Sequence, residues 1–108
     1  MQNYRLLKFN VSGQTISKDS RCDFSGIASG TKNYLKAKFA FRSDWNGMRV
    51  VAVFKCLNKE YPTKVINGEC NIPEDALVWS NFSVYLIGEN SEGVRIKTNK
   101  VSVEQEVV

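Results

Sequence analysis

The chain is predicted to fold as an all-β sandwich of seven to eight short strands, and three observations predict it. Apolar and polar residues alternate at period two in the segments that carry most of the large side chains. Dipeptides that tolerate positive φ in tight turns, Asn46-Gly47 and Asn67-Gly68, separate those segments at short intervals. No segment sustains a 3.6-residue apolar period, and short strands with regular turn signals favour two packed sheets over one open sheet. At 108 residues a single domain spanning residues 1–108 is expected, because a second core would be too small to hold itself together.

Taken in order, the segment from Ser17 to Asn33 is rich in Ser, Gly, Lys and Asp and reads as a long loop. It is anchored by Phe24 and Ile27, and it either carries a contact or crosses between the sheets. Leu35, Ala37, Phe39 and Phe41 then alternate with Lys36, Lys38, Ala40 and Arg42, giving a strand with one apolar and one basic face. Arg49 to Leu57 is apolar on both sides and reads as a central strand. Glu60–Ile66 and Glu69–Ile72 flank Asn67-Gly68 as a short hairpin. Pro73 followed by Glu74 and Asp75 suits the first position of one helical turn. Phe82, Val84 and Leu86 alternate with Ser83, Tyr85 and Ile87, and Glu89–Gly93 turns the chain into a last strand. That strand holds Val94, Ile96, Thr98, Val101 and Val103, with a bulge expected near Asn99. Trp45, in a turn between strands, is expected to cap the core with its indole N–H on a carbonyl. Trp79 fits either a second cap or an exposed partner anchor.

Composition removes several classes of function. The chain is 43% hydrophobic and 24% charged, an ordinary globular balance. No run approaches the roughly 18 apolar residues of a membrane span, and residues 1–8 lack the apolar core of a secretory signal. The protein is therefore expected to stay in the cytoplasm where it is made, unless it leaves as part of a larger object. The chain contains no histidine, which removes the usual general base and the commonest metal ligand. Cys22, Cys56 and Cys70 are odd in number and widely spaced, so no disulfide framework or zinc site is expected, and Cys56 reads as a small buried hydrophobe. Ser29-Gly30-Thr31-Lys32 matches S-x-x-K by coincidence, without the partner motifs that chemistry requires. Asp44 and the Glu74-Asp75 pair read as turn residues, and the sequons at Asn10 and Asn81 as accidental. No catalytic site, metal or cofactor is expected.

Net charge is +4, distributed unevenly: residues 1–42 carry eight Lys/Arg against two Asp/Glu, and residues 43–108 carry seven against nine. Nucleic-acid binding is not expected, because alternation puts the aromatics and the cations of residues 34–42 on opposite strand faces.

The order Asn33-Tyr34-Leu35, Phe39-Ala40-Phe41-Arg42-Ser43-Asp44-Trp45-Asn46-Gly47, Val53-Phe54, Glu69-Cys70-Asn71-Ile72-Pro73, Phe82-Ser83-Val84-Tyr85-Leu86-Ile87-Gly88 and Arg95-Ile96-Lys97-Thr98-Asn99 resembles a family of small immunoglobulin-like proteins of tailed phages and prophages. Members show an F-x-F-S-x-D-W-x-G turn, a C-x-I/V-P step, a V-x-V-x-G-type strand and an R-I-x-T-N strand. Here Arg42 precedes the Ser-Asp-Trp step and Lys97 lies inside the last strand. Similar domains begin some upper baseplate proteins, and others stand alone in virion gene clusters. The resemblance implies an immunoglobulin-like antiparallel β-sandwich and a non-enzymatic virion structural protein, foremost a decoration protein on the outside of the head. A baseplate or tail-tip accessory is the second reading, and a carbohydrate- or host-surface-binding module the third. No receptor-binding or trimerisation module follows Val108, so a complete host-binding protein is not expected. The expected partners are phage structural proteins, the major capsid protein or baseplate components, with self-association left open and with neither nucleic acid nor membrane. The basic residues Arg5, Lys8, Lys18 and Arg21 are the expected partner contact. Tyr61, Trp79 and Tyr85 are the aromatics expected at the surface for stacking on a sugar.

Overall fold

A computed structural model describes residues 3–108. Among the described residues there are nine strands, one more than the seven to eight expected because the last splits in two: β1 Arg5–Ser12, β2 Thr15–Lys18, β3 Leu35–Phe41, β4 Arg49–Cys56, β5 Lys59–Val65, β6 Glu69–Asn71, β7 Asn81–Glu89, β8 Arg95–Lys97 and β9 Val101–Glu104. A four-stranded sheet runs β2-β1-β3-β6, and a five-stranded sheet runs β5-β4-β7-β8 with β9 also paired to β7. The two pack face to face around one buried cluster, the expected β-sandwich and one consistent with an immunoglobulin-like architecture.

Alternation decides which side of each strand meets the core. In β1, Leu7, Phe9 and Val11 are buried while Lys8, Asn10 and Ser12 face water. β3 repeats this with Leu35, Ala37 and Phe39, and the Phe9 and Phe39 rings stack with centroids 5.5 Å apart. The opposite sheet supplies Ala52, Phe54 and Cys56 from β4 and Phe82, Val84 and Leu86 from β7. Burying each large side chain stabilises the fold by roughly 1.5–3 kcal/mol, and that drive fixes the register.

The ends and sides of the sandwich are closed by single residues. Trp45, in a 3-10 turn over Ser43–Trp45, is 4% exposed, and its Nε1 donates to the Gly13 carbonyl at 2.9 Å. Its ring lies over Gly88, where any Cβ would stand 2.5 Å from a ring carbon, so the cap requires glycine beneath it. The chain breaks between β8 and β9 at the expected bulge. There Asn99 mimics a strand: its Oδ1 accepts from Ile16 N–H at 2.8 Å, its Nδ2 donates to the Ile16 carbonyl at 3.2 Å, and its backbone N–H donates to Gln14 O at 3.1 Å. This side chain stitches the β2 edge to the other sheet.

Four expectations are corrected. β1 pairs β3 in parallel, so the sandwich is not wholly antiparallel; the long connection after β2 returns the chain to the end where β1 began. The expected hairpin at Asn67-Gly68 is one bridge wide. Ile66 and Glu69 exchange backbone bonds of 2.9 and 3.1 Å, after which β5 stays with β4 and β6 joins β3, where Cys70 is buried opposite Ala37. The loop begins after Lys18, because Thr15–Lys18 forms β2 against β1. Pro73 precedes the 3-10 turn Glu74–Ala76 rather than opening it.

Two outer faces as candidate docking surfaces

The functional candidates are the sheet faces turned away from the core. On the four-stranded sheet, Lys8 of β1 lies directly opposite Lys38 of β3, and Leu6 opposite Lys36. Small polar residues, Asn10, Ser12, Thr15 and Ser17, continue the face towards Ala40 and Arg42 around a shallow hollow. Glu69, opposite Lys38, is the one acid in these rows. Lys36 covers the Tyr4 ring at 4.3 Å, whereas Lys8, Lys38 and Arg42 enter none of the ion pairs among the described residues. Two ammonium groups side by side on neighbouring strands repel. The face is therefore flat, wet and cationic.

The outer face of the five-stranded sheet is built differently. Cross-strand rows place Pro62, Val53 and Tyr85 side by side, and Lys64, Val51, Ile87 and Lys97 in the next row. Val53 is 5% exposed although nothing packs on this face from another sheet, because its neighbours cover it. The rows open into a shallow groove of about 860 Å³ that continues to Met48, Val65 and Ile66. Its charged rim is Arg49, Lys64, Arg95 and Glu89, and Arg95 is paired with Glu89, leaving a cationic surplus.

The four cations singled out from sequence differ in setting, although Lys8 and Arg21 both act on the Asp19 carboxylate, next to Lys18. The Arg5 guanidinium donates to the carbonyls of Asp23 and Ser25 at 2.8 and 2.7 Å, tying down the long loop. Arg21 pairs with Asp19 at 3.4 Å, and Lys18, in register with inward-facing Phe9, sits 5.3 Å over the Phe24 ring. Only Lys8 lies on the outer face. Its companions there, Lys36, Lys38 and Arg42, were visible as the polar phase of the β3 alternation. The parallel β1–β3 pairing that brings Lys8 beside them has no local signal.

The three aromatics also part company. Tyr85 is not exposed as expected: it is 9% exposed, with Lys97 and Lys100 over its ring and its hydroxyl donating to Glu60 at 3.0 Å. Burial, the Glu60 hydrogen bond and the Glu60 charge all raise its pKa. Tyr61, opposite inward-facing Phe54, packs half-buried against the core. Trp79 alone stands out, 49% exposed.

Elsewhere, titration is shaped by turns and burial. The Arg21 backbone N–H and side chain hold Asp19 below the usual carboxylate range, and the Ser25 hydroxyl and N–H do the same for Asp23. Burial pushes the Cys70 thiol up to about 12. All three cysteines are free, with Cys56 and Cys70 buried. Among the described residues no three His, Cys, Asp or Glu side chains gather as a metal ion requires, and no helix is long and apolar enough to cross a membrane. No protein-family model matches the chain, and no curated protein matches it in sequence.

Proposed function

We propose that this protein is a non-enzymatic binding module that seats on the acidic surface of a larger particle through the outer face of its four-stranded sheet. The particle of the reading is a phage virion, as the sequence resemblance implies, and the seat is the outside of the head. The single observation that carries the docking half is the juxtaposition of Lys8 and Lys38 with Arg42 on one flat polar face, none of them in an ion pair among the described residues. Two repelling cations on adjacent strands cost folding stability, and an acidic partner turns that cost into attraction. Each exposed charge pair contributes about 0–1 kcal/mol, so one copy holds weakly. A lattice that presents many equivalent seats raises occupancy by multiplicity rather than by new contacts.

The test is occupancy on purified particles, counted by quantitative mass spectrometry against the major shell protein. The parent protein is expected at hundreds of copies, declining as salt rises, and the triple variant Lys8→Ser, Lys38→Ser, Arg42→Ser is expected at a tenth of that or less. Undiminished occupancy of the triple variant sinks the docking face. A handful of copies moves the protein to a baseplate or tail tip, and absence from particles removes the virion reading altogether.

A further inference from the structure

Among the described residues, six of the eight exposed large apolar side chains lie at one end of the sandwich: Tyr34, Leu57, Val78, Trp79, Val107 and Val108. This is the end where β1, β3 and β7 begin and β4, β6 and β9 finish. Backbone bonds hold the segments together: Gly30 N–H donates to Leu77 O at 2.7 Å, Ser29 N–H to Glu106 O at 2.8 Å, and Gln105 N–H to Ser80 O at 2.7 Å. Trp79 is therefore carried on a braced surface. Glu74 and Asp75 precede it in the chain, and Glu104 and Glu106 flank Gln105, whose N–H donates to Ser80 O; all four are exposed. Lys32 pairs with Glu74 at 3.9 Å, and Arg5, Lys36, Lys55 and Lys59 stand at the same end on other strands.

The groove on the five-stranded sheet has the opposite character. It is apolar at Val51, Val53, Ile66 and Ile87, cationic at Arg49 and Lys64, and set towards the far end of the strands. One end of the molecule thus offers an apolar, acidic tip, and the other an apolar, cationic hollow. They lie too far apart along the strands to meet within one chain, and the two patches are different surfaces.

We infer that the tip around Trp79 docks into the Arg49–Lys64 groove of a second copy of this chain. Trp79 and Val78 supply a large apolar anchor of the kind that dominates interfaces, and the charges orient it. A contact of one tip with one groove is heterologous: the pair it makes keeps a free groove on one copy and a free tip on the other, so further copies add as a ring or a string. The cationic face of the four-stranded sheet takes no part, so this assembly stands or falls independently of the seat proposed above.

The test is sedimentation velocity of the full chain over a range of concentrations. The parent is expected to grow in mass with concentration and to shrink with salt. Two variants each block one surface: Val78→Ser with Trp79→Ser at the tip, and Arg49→Glu with Lys64→Glu at the groove. Each alone is expected to be monomeric at concentrations where the parent associates, with association weakened tenfold or more. Mixed in equal amounts they are expected to form a one-to-one pair that grows no further, since each retains the surface the other lacks. Thermal melts check that both variants fold, and Glu74→Lys with Glu106→Lys is a second tip variant should the first melt early. A parent that stays monomeric at every concentration overturns the inference, as does a mixture that forms no pair or an oligomer that survives both blocks.

Discussion

The two outer faces of this sandwich are made by the same alternation and have opposite chemistry. On the four-stranded sheet the outward positions are Lys8, Asn10, Ser12, Lys36, Lys38 and Ala40, none of which is buried. On the five-stranded sheet Val51, Val53, Tyr85 and Ile87 occupy equivalent outward positions, and two of them are as buried as core residues. Charge acts over the roughly 8 Å that physiological salt leaves unscreened, so the first face is of the kind that steers at a distance. Apolar surface acts only in contact, at roughly 25 cal/mol per Å² removed from water, so the second face is of the kind that adheres on touching. A fold with two sheets has two such faces to assign.

The strongest way to separate them is to place one substitution on each. Val53→Asp puts a carboxylate between Pro62 and Tyr85 with no donor provided for it, and is expected to cost about 3 kcal/mol, read as a lower denaturation midpoint. Ala40→Asp sits exposed near Lys38 and Arg42 and is expected to stay within about 0.5 kcal/mol of the parent. Equal losses at the two positions would remove the distinction between a wet face and a covered one.

The sequence carries one of these faces more openly than the other. Lys36, Lys38 and Arg42 fall in one phase of a strand whose other phase is Leu35, Ala37, Phe39 and Phe41, so the cationic row could be read directly. Val51 and Val53 were legible as apolar residues on the second side of a central strand. Their companions Pro62 and Tyr85 come from strands 8 or more residues distant, and only pairing brings them together. The same limit explains the hairpin at Asn67-Gly68. Its turn chemistry is local and appears as expected, with Asn67 and Gly68 at φ 53° and 77°. Whether the flanking strands then stay together depends on where Cys70 and Ile72 are buried, which is decided across the core. β1 had a readable signal in Leu7, Phe9 and Val11, but its parallel partner β3 lies beyond a long connection that period-two patterning does not describe. Arg5 and Arg21 read as free cations because their partners, two loop carbonyls and Asp19, are set by turns rather than by composition.

The seam between the sheets should matter next. Asn99→Ala removes both side-chain bonds to Ile16 and leaves a part-buried N–H without its acceptor, an expected loss of about 2 kcal/mol. Asn99→Asp keeps the acceptor for Ile16 N–H and should recover part of it. Hydrogen exchange at Ile16 N–H, faster in the alanine variant, localises the effect to the β2 edge.

Alkaline pH probes the inner side of the cationic sheet. The folded Cys70 thiol is raised to about 12 from an ordinary value of 9.0, so the folded state holds its proton where the unfolded state releases it. The stabilisation is complete below about pH 9 and disappears as pH rises through 12. By linkage at 1.36 kcal/mol per unit, stability at pH 10.5 is expected to fall by about 2 kcal/mol relative to pH 8. Tyr85, raised as well, adds to the decline above pH 10. In Cys70→Ala the decline should be shallower, and an unchanged slope would assign it to other groups.

The smallest expected effect bears most directly on function. Lys8 faces Lys38 across the β1–β3 pair, so Lys8→Gln relieves a repulsion and should stabilise the fold by a few tenths of a kcal/mol at low salt. In 1 M salt, where screening shortens to roughly 3 Å, the gain should vanish. The same substitution should weaken seating on an acidic partner, so that stability and occupancy move in opposite directions. A lysine kept for the fold alone would lose both together when replaced. One kept for a partner weakens the isolated chain and strengthens the complex, and the sign of this small difference separates the two.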